Sequence, residues 1–240
     1  DATSVPPNPV VSTAATVAEP VTVQPGSFAD IDPDSTVILP SAPIAGRVSP
    51  AAVWTGTEMI VWGGSVLLSP SGSAPLSDGA AFDPATGSWR VIAAAPIQGR
   101  ADSATVWTGS EMLVWGGSAG AQTVADGAAY DPATDTWRAL APAPIPDVSR
   151  PVAAWTGTEM LVVSGMRAVD GGLTPVDDAA AYDPVTDTWR TIASPIGTIT
   201  APYPQSTWTG DSLLMVTSET TPKVMTDSTQ LPQLQDVVRL

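Results

Sequence analysis

The sequence predicts an all-β fold in which one four-stranded antiparallel sheet is repeated along the chain, and three observations predict it. A first block occurs four times, as AAVWTGTEMIVWGG from Ala51, ATVWTGSEMLVWGG from Ala104, VAAWTGTEMLVVSG from Val152 and QSTWTGDSLLMVTS from Gln205. A second block follows the first three copies, as DGAAFDPATGSWRVIAAAP from Asp78, DGAAYDPATDTWRALAPAP from Asp126 and DDAAAYDPVTDTWRTIASP from Asp177. No stretch carries the i, i+3, i+4 apolar spacing and capping of a helix, whereas short apolar runs bounded by Thr-Gly and Asp-Pro turns are strand and hairpin signals.

Taken in chain order, residues 1–28 are rich in Pro, Ala, Thr and Val, lack a periodic apolar face and read as an extended linker. A chain that opens on such a linker is expected to be secreted or extracytoplasmic, with a signal or anchor upstream of it. Residues 32–47 align with the fourth-strand region of the repeat when Pro43 is set against Pro96 and Arg47 against Arg100, so 36–40 is expected as an orphan outer strand. In the first unit, strand one spans 49–54 and Thr55-Gly56-Thr57 turns the chain into strand two at 58–62. Gly63-Gly64 ends strand two where the backbone must bend or pass close to a neighbour. Strand three follows at 79–82. Asp83-Pro84-Ala85-Thr86 has Asp and Pro where a type I turn favours them, and strand four carries Trp89 and ends at Pro96. The units are expected at about 48–96, 101–144 and 149–195, with a partial fourth at 201–217 and a polar tail or incomplete sheet over 218–240.

A sheet apolar on both faces must be covered by copies of itself, and radial stacking around an axis does this in a β-propeller. The repeated tryptophans Trp54, Trp107, Trp155 and Trp208 are 53, 48 and 53 residues apart, and Trp89, Trp137 and Trp189 are 48 and 52 apart. They are expected between the sheets, where burying ~150 to 250 Å² at ~25 cal/mol per Å² contributes about 4 to 6 kcal/mol each before opposing terms. A period near 50, a double glycine after strand two and an aromatic-Asp-Pro turn followed by Trp resemble the kelch repeat family. The resemblance covers about residues 29–217 and implies a kelch-type propeller of four-stranded blades, three complete and a fourth partial. Two closures stand open: the tail completes a four-bladed ring, or the chain is a fragment of a six- to eight-bladed ring, which is the expectation. Copper oxidases that resemble kelch propellers use cysteine and histidine, and the chain has neither.

Composition narrows the chemistry. Without Cys or His, thiol nucleophiles, Cys/His zinc sites, haem ligation and Ser-His-Asp triads are excluded, and no cofactor is expected. With 24 acidic and 9 basic residues the net charge is −15, which argues against nucleic acid and anionic membranes as partners. No stretch reaches the ~18 apolar residues of a membrane-spanning helix.

Antiparallel order puts the turns between strands one and two, and between three and four, on one face, and the strand two to three loops with the interblade links on the other. The turns repeat almost unchanged, so Glu58, Glu111, Glu159, Asp83, Asp131 and Asp183 are expected to be structural. The loops 65–77, 118–125 and 166–176 differ in length, and variable loops on a rigid scaffold are where binding concentrates. Arg47, Arg100 and Arg150 precede first strands on that same face. In kelch propellers that bind acidic peptides, arginines ring this mouth, so the resemblance implies ligand binding by these three, against the alternative that each pairs with a loop acid such as Asp102 or Asp147. The expected function is a non-catalytic binding or scaffolding module that recognises a protein or a small acidic or carbohydrate ligand on the loop face. The alternative is a carbohydrate-active enzyme of epimerase or lyase type, using carboxylates, Tyr and Arg.

Overall fold

The computed structural model describes residues 39–68, 72–194, 205–210, 212–216 and 223–226. The linker, all of the orphan strand except Leu39 and Pro40, and most of 218–240 lie outside the described residues.

Three four-stranded antiparallel sheets follow one another. Sheet one holds Ala51–Trp54, Met59–Trp62, Gly79–Asp83 and Ser88–Val91; sheet two Ala104–Trp107, Met112–Trp115, Gly127–Asp131 and Thr136–Ala139; sheet three Val152–Trp155, Met160–Val169, Gly172–Asp183 and Thr188–Thr191. In each, the strands pair in chain order. A fourth sheet has three strands, Gln205–Trp208, Ser212–Val216 and Lys223–Thr226, the last falling within the stretch expected as tail or incomplete sheet.

The repeated turns form as their residues dictate. The Thr55 hydroxyl accepts from the N–H groups of Thr57 and Glu58 at 3.2 and 2.9 Å, and Thr108 and Thr156 repeat the arrangement. Asp83 caps its own turn, its carboxylate accepting from Ala85 N–H at 2.7 Å and the Thr86 hydroxyl at 3.0 Å.

The double glycine answers a close approach of two chains. A Cβ on Gly63 would lie 2.7 Å from the Arg100 carbonyl of the next blade, and one on Gly64 2.8 Å from the Val48 carbonyl of its own link; both residues have positive φ. Gly64 N–H in turn donates to Arg100 O at 2.7 Å, so the glycines let backbone meet backbone between blades. In sheet three Ser164 takes the first place at φ 57°, with its hydroxyl donating to Val176 O at 2.8 Å.

The core lies between sheets. Leu113, Trp115 and Val148 pack against Met160, Val162 and Tyr182, while Ile60 and Trp62 pack against Met112, Val114 and Tyr130. The deepest indoles are Trp62 and Trp115, at the ends of the second strands. Trp137 tilts onto Trp62 and Trp189 onto Trp115, with ring centroids 5.4 and 5.5 Å apart. Trp107 and Trp155 pack partly buried between sheets, but Trp54 is 53% exposed, because among the described residues no further sheet covers the outer face of sheet one.

The loops expected over 65–77, 118–125 and 166–176 contain hairpins. The first pairs Ser65–Leu68 with Gly72–Pro75 and the second Ser118–Ala119 with Gln122–Thr123. The third is a ribbon in which strands two and three of the sheet run on past a bulge at Ser164 to a turn at Asp170-Gly171. Both turn residues have positive φ, 49° and 79°, as a type I′ hairpin requires.

Candidate functional site

At the inner rim of the loop face, the residue two before each first strand is held left-handed: Ser49, Asp102 and Arg150 have φ of 49°, 56° and 55°. This is why the first strands begin at Ala51, Ala104 and Val152, and not two residues earlier. Asp102 N–H donates to Ser49 O at 3.2 Å and Arg150 N–H to Asp102 O at 2.8 Å, so the rim is hydrogen-bonded from blade to blade. Left-handed backbone at residues other than glycine costs of order 1 kcal/mol or more and persists where surrounding structure enforces it. Here the backbone repeats and the side chain changes.

Above this rim the three hairpins enclose a cavity of about 460 Å³, within the ~300 to 1,000 Å³ usual for ligand sites. Asp102 and Arg150 line it, with Ser118 and Thr123 of the second hairpin and Asp170 and Leu173 at the tip of the third. The second and third hairpins are fixed to each other through Asp147. The Thr123 hydroxyl donates to the Asp147 carboxylate, Arg167 Nε donates to Asp147 O at 3.2 Å, and Arg167 pairs with Asp178 at 3.0 Å.

The three arginines singled out from the sequence take two different places. Arg47 and Arg100 are equivalent, each seven residues before a first-strand tryptophan. The Arg47 guanidinium donates to Gly63 O and Asp78 O and pairs with the Asp78 carboxylate at 3.0 Å; Arg100 does the same to Gly116 O and Asp126 O and pairs with Asp126 at 2.8 Å. Each clamps the two ends of its own strand two to three hairpin. Their side chains are 5% and 0% exposed. Arg150 stands five residues before Trp155, in register with Asp102 and Ser49. The place of Arg47 and Arg100 falls in sheet three to Val148, whose carbonyl accepts from Gly117 as that of Arg100 accepts from Gly64. There the clamp is made from the hairpin itself by Arg167 and Asp178. Arg150 alone of the three lines the cavity, with Nε 3.5 Å from Asp102 Oδ2. Sequence reasoning passed over Ser49 and named Asp102 only as an acid that could pair with these arginines, as it does with Arg150; counting back from each first-strand tryptophan would have aligned both with Arg150.

The opposite face is built from ion pairs that join blades. Arg90 bonds Glu58 through two nitrogens at 3.2 and 2.8 Å and donates to the Tyr130 hydroxyl of sheet two at 2.9 Å. Tyr130 donates to Asp135 at 2.6 Å, and Asp135 accepts from Ala93 N–H back in the first unit at 2.9 Å. Glu111, Arg138, Tyr182, Asp187 and Ala141 repeat this between sheets two and three. Burial, then the bond to the aspartate, pushes both tyrosine hydroxyls up to about 12. The tyrosine hydroxyl, then the backbone N–H, holds Asp135 and Asp187 below the ordinary carboxylate range. The recurring glutamates are thus partners of strand-four arginines, while the recurring aspartates of the Asp-Pro turns cap them. Among the described residues no group of three Asp or Glu is placed to hold a metal ion.

Repeated four-stranded blades, stacked on tryptophan and joined across glycine pairs, define a kelch-type β-propeller. Residues 35–216 match the KLHDC2/KLHL20/DRC7 Kelch-repeats domain, and the chain belongs to that family. The solved structure of YjhT is similar, with a TM-score of 0.63 at 15% identity, covering 83% of this chain and 67% of that one; at this identity the likeness shows the fold alone. No curated protein sequence matches the chain.

Proposed function

We propose that the chain is a non-catalytic recognition module that binds its partner in the cavity between the three hairpins, and that it works outside the cytoplasm. One observation carries the binding reading: the rim repeats a costly left-handed backbone in three blades while presenting Ser49, Asp102 and Arg150 in turn. A constant scaffold with a variable side chain is how a binding surface is tuned without disturbing a fold. The extracytoplasmic part rests on the composition of the linker. The enzyme alternative uses Tyr with carboxylates and Arg. Tyr130 and Tyr182 are instead tied to Arg and Asp partners among the turns and do not line the cavity.

The test is a partner capture with the whole chain immobilised, comparing wild type with Ser49→Arg and Asp102→Arg and with a turn-face control, Ser110→Arg. Loss of the same captured partner in both rim variants, with the control unchanged, is the expected result. Equal capture by all four proteins would place binding elsewhere.

A further inference from the structure

We infer that the cavity between the hairpins takes a cationic protein segment, one that presents a lysine or arginine side chain to Asp170. The inference rests on the binding reading above and reverses the ligand charge that the arginines alone suggested. All seven described arginines, Arg47, Arg90, Arg100, Arg138, Arg150, Arg167 and Arg190, are already engaged in ion pairs with Asp or Glu of this chain. Among the described residues the one cation that lines the cavity, Arg150, therefore faces a carboxylate before any ligand arrives. Arg47 and Arg100 are covered by the hairpins they clamp and are absent from the lining.

Asp170 is placed differently. It stands exposed at the tip of the third ribbon, in the left-handed first position of the I′ turn, and it lines the cavity. Among the described residues the charged side chains of the lining are Asp102, Arg150 and Asp170, so the matched pair leaves one carboxylate over. The rest of the lining mixes the short hydrogen-bonding side chains of Ser65, Ser73, Ser118, Gln122 and Thr123 and exposed glycine backbone with small apolar residues and Leu173, and among the described residues it holds no aromatic ring. Such walls suit an extended polar peptide, whose amides both donate and accept, better than a flat apolar ligand. The chain's net charge of −15 attracts a basic segment and repels an acidic one before contact, an effect that salt screens.

The experiment uses the whole chain, labelled with 15N, and two synthetic probes, a capped Gly-Ser peptide with a central lysine and the same peptide with a central glutamate. Amide shifts are followed at Gly120, Gly171 and Gly172 on the cavity and at Gly109 and Gly157 on the opposite turns. The lysine peptide is expected to shift the cavity glycines at least fivefold more tightly than the glutamate peptide. Asp170→Asn should abolish that preference and 0.5 M salt should weaken it. If the glutamate peptide binds the cavity more tightly, or the lysine peptide binds Asp170→Asn as well as wild type, the cationic assignment falls while the cavity reading stands. If both peptides shift only the turn glycines, or neither shifts the cavity, both readings fall.

Discussion

The tyrosine-aspartate pairs on the turn face show how one side chain can join two blades. The Tyr130 hydroxyl accepts from Arg90 and donates to Asp135, so Tyr130→Phe deletes two hydrogen bonds in a half-buried network. At ~0.5 to 1.5 kcal/mol net for each bond, a loss of about 1 to 3 kcal/mol in urea unfolding is expected. Sheet one carries Phe82 and Gly87 where sheets two and three carry Tyr and Asp, so Tyr130→Phe with Asp135→Gly should cost less than the sum of the two single changes, because both remove the same bond and glycine relieves the positive φ of Asp135. The double variant being worse than the sum of its parts would contradict the network. The same groups set a pH window. A tyrosine raised in the folded state to about 12, against ~10 unfolded, stabilises fully below pH ~10 and loses that contribution as pH rises towards 12. Asp135 and Asp187, lowered in the folded state, contribute above the ordinary carboxylate value of ~3.9 and lose it as pH falls through their depressed values. Absorbance at 295 nm should show Tyr130 and Tyr182 ionising about two pH units later than free tyrosine, with the melting temperature falling in step; ordinary titration of both would refute the bonding.

Among the elements, the clamp arginines and the rim arginine differ in what they hold. Arg100 is wholly covered and holds Gly116 and Asp126 together, so Arg100→Ala should cost roughly 2 to 4 kcal/mol and loosen the second hairpin, seen as faster amide exchange at Gly116 and Gly117. Arg150→Ala, at the rim, should cost less than Arg100→Ala, because its contact with Asp102 is long, 3.5 Å, and its side chain is a quarter exposed where that of Arg100 is covered. Similar costs for the two variants would mean that Arg150 is also a clamp. The strand and turn pattern was legible in the sequence because each signal is local: Thr-Gly and Asp-Pro turns, alternating apolar runs and paired glycines. The role of Arg150 was not, because it depends on register against Trp155, and a link two residues different in spacing moves a side chain from clamp to rim. The third ribbon carried a local sign, Asp170-Gly171 between apolar residues, that marks a hairpin where a loop was expected. The strand Lys223–Thr226 carried none, since neither paired glycines nor an Asp-Pro turn flanks it.

In the whole molecule, the blades are held by what lies between them, and the outer face of sheet one tests how the arc sits in solution. Trp89 Nε1 donates to Pro40 O at 3.0 Å, as Trp137 does to Ala93 O and Trp189 to Ala141 O. Leu39 and Pro40 thus follow sheet one as the segments after each fourth strand follow the next sheet, in the register that Pro43 and Pro96 set in the sequence. The face they border, with Trp54, Met59, Phe82 and Pro84, has the apolar make-up of an interblade surface, yet Trp54 stays half exposed where Trp107 and Trp155 are packed. Replacing an indole packed between sheets costs ~3 to 5 kcal/mol at full burial, and replacing an exposed one costs little. Trp107→Ser is therefore expected to cost about 2 to 4 kcal/mol in chemical unfolding, and Trp54→Ser less than ~1 kcal/mol, with Trp54 the indole most readily quenched by iodide. Equal costs for the two, with Trp54 protected from iodide, would show that the outer face of sheet one is covered in solution and that the arc is closed.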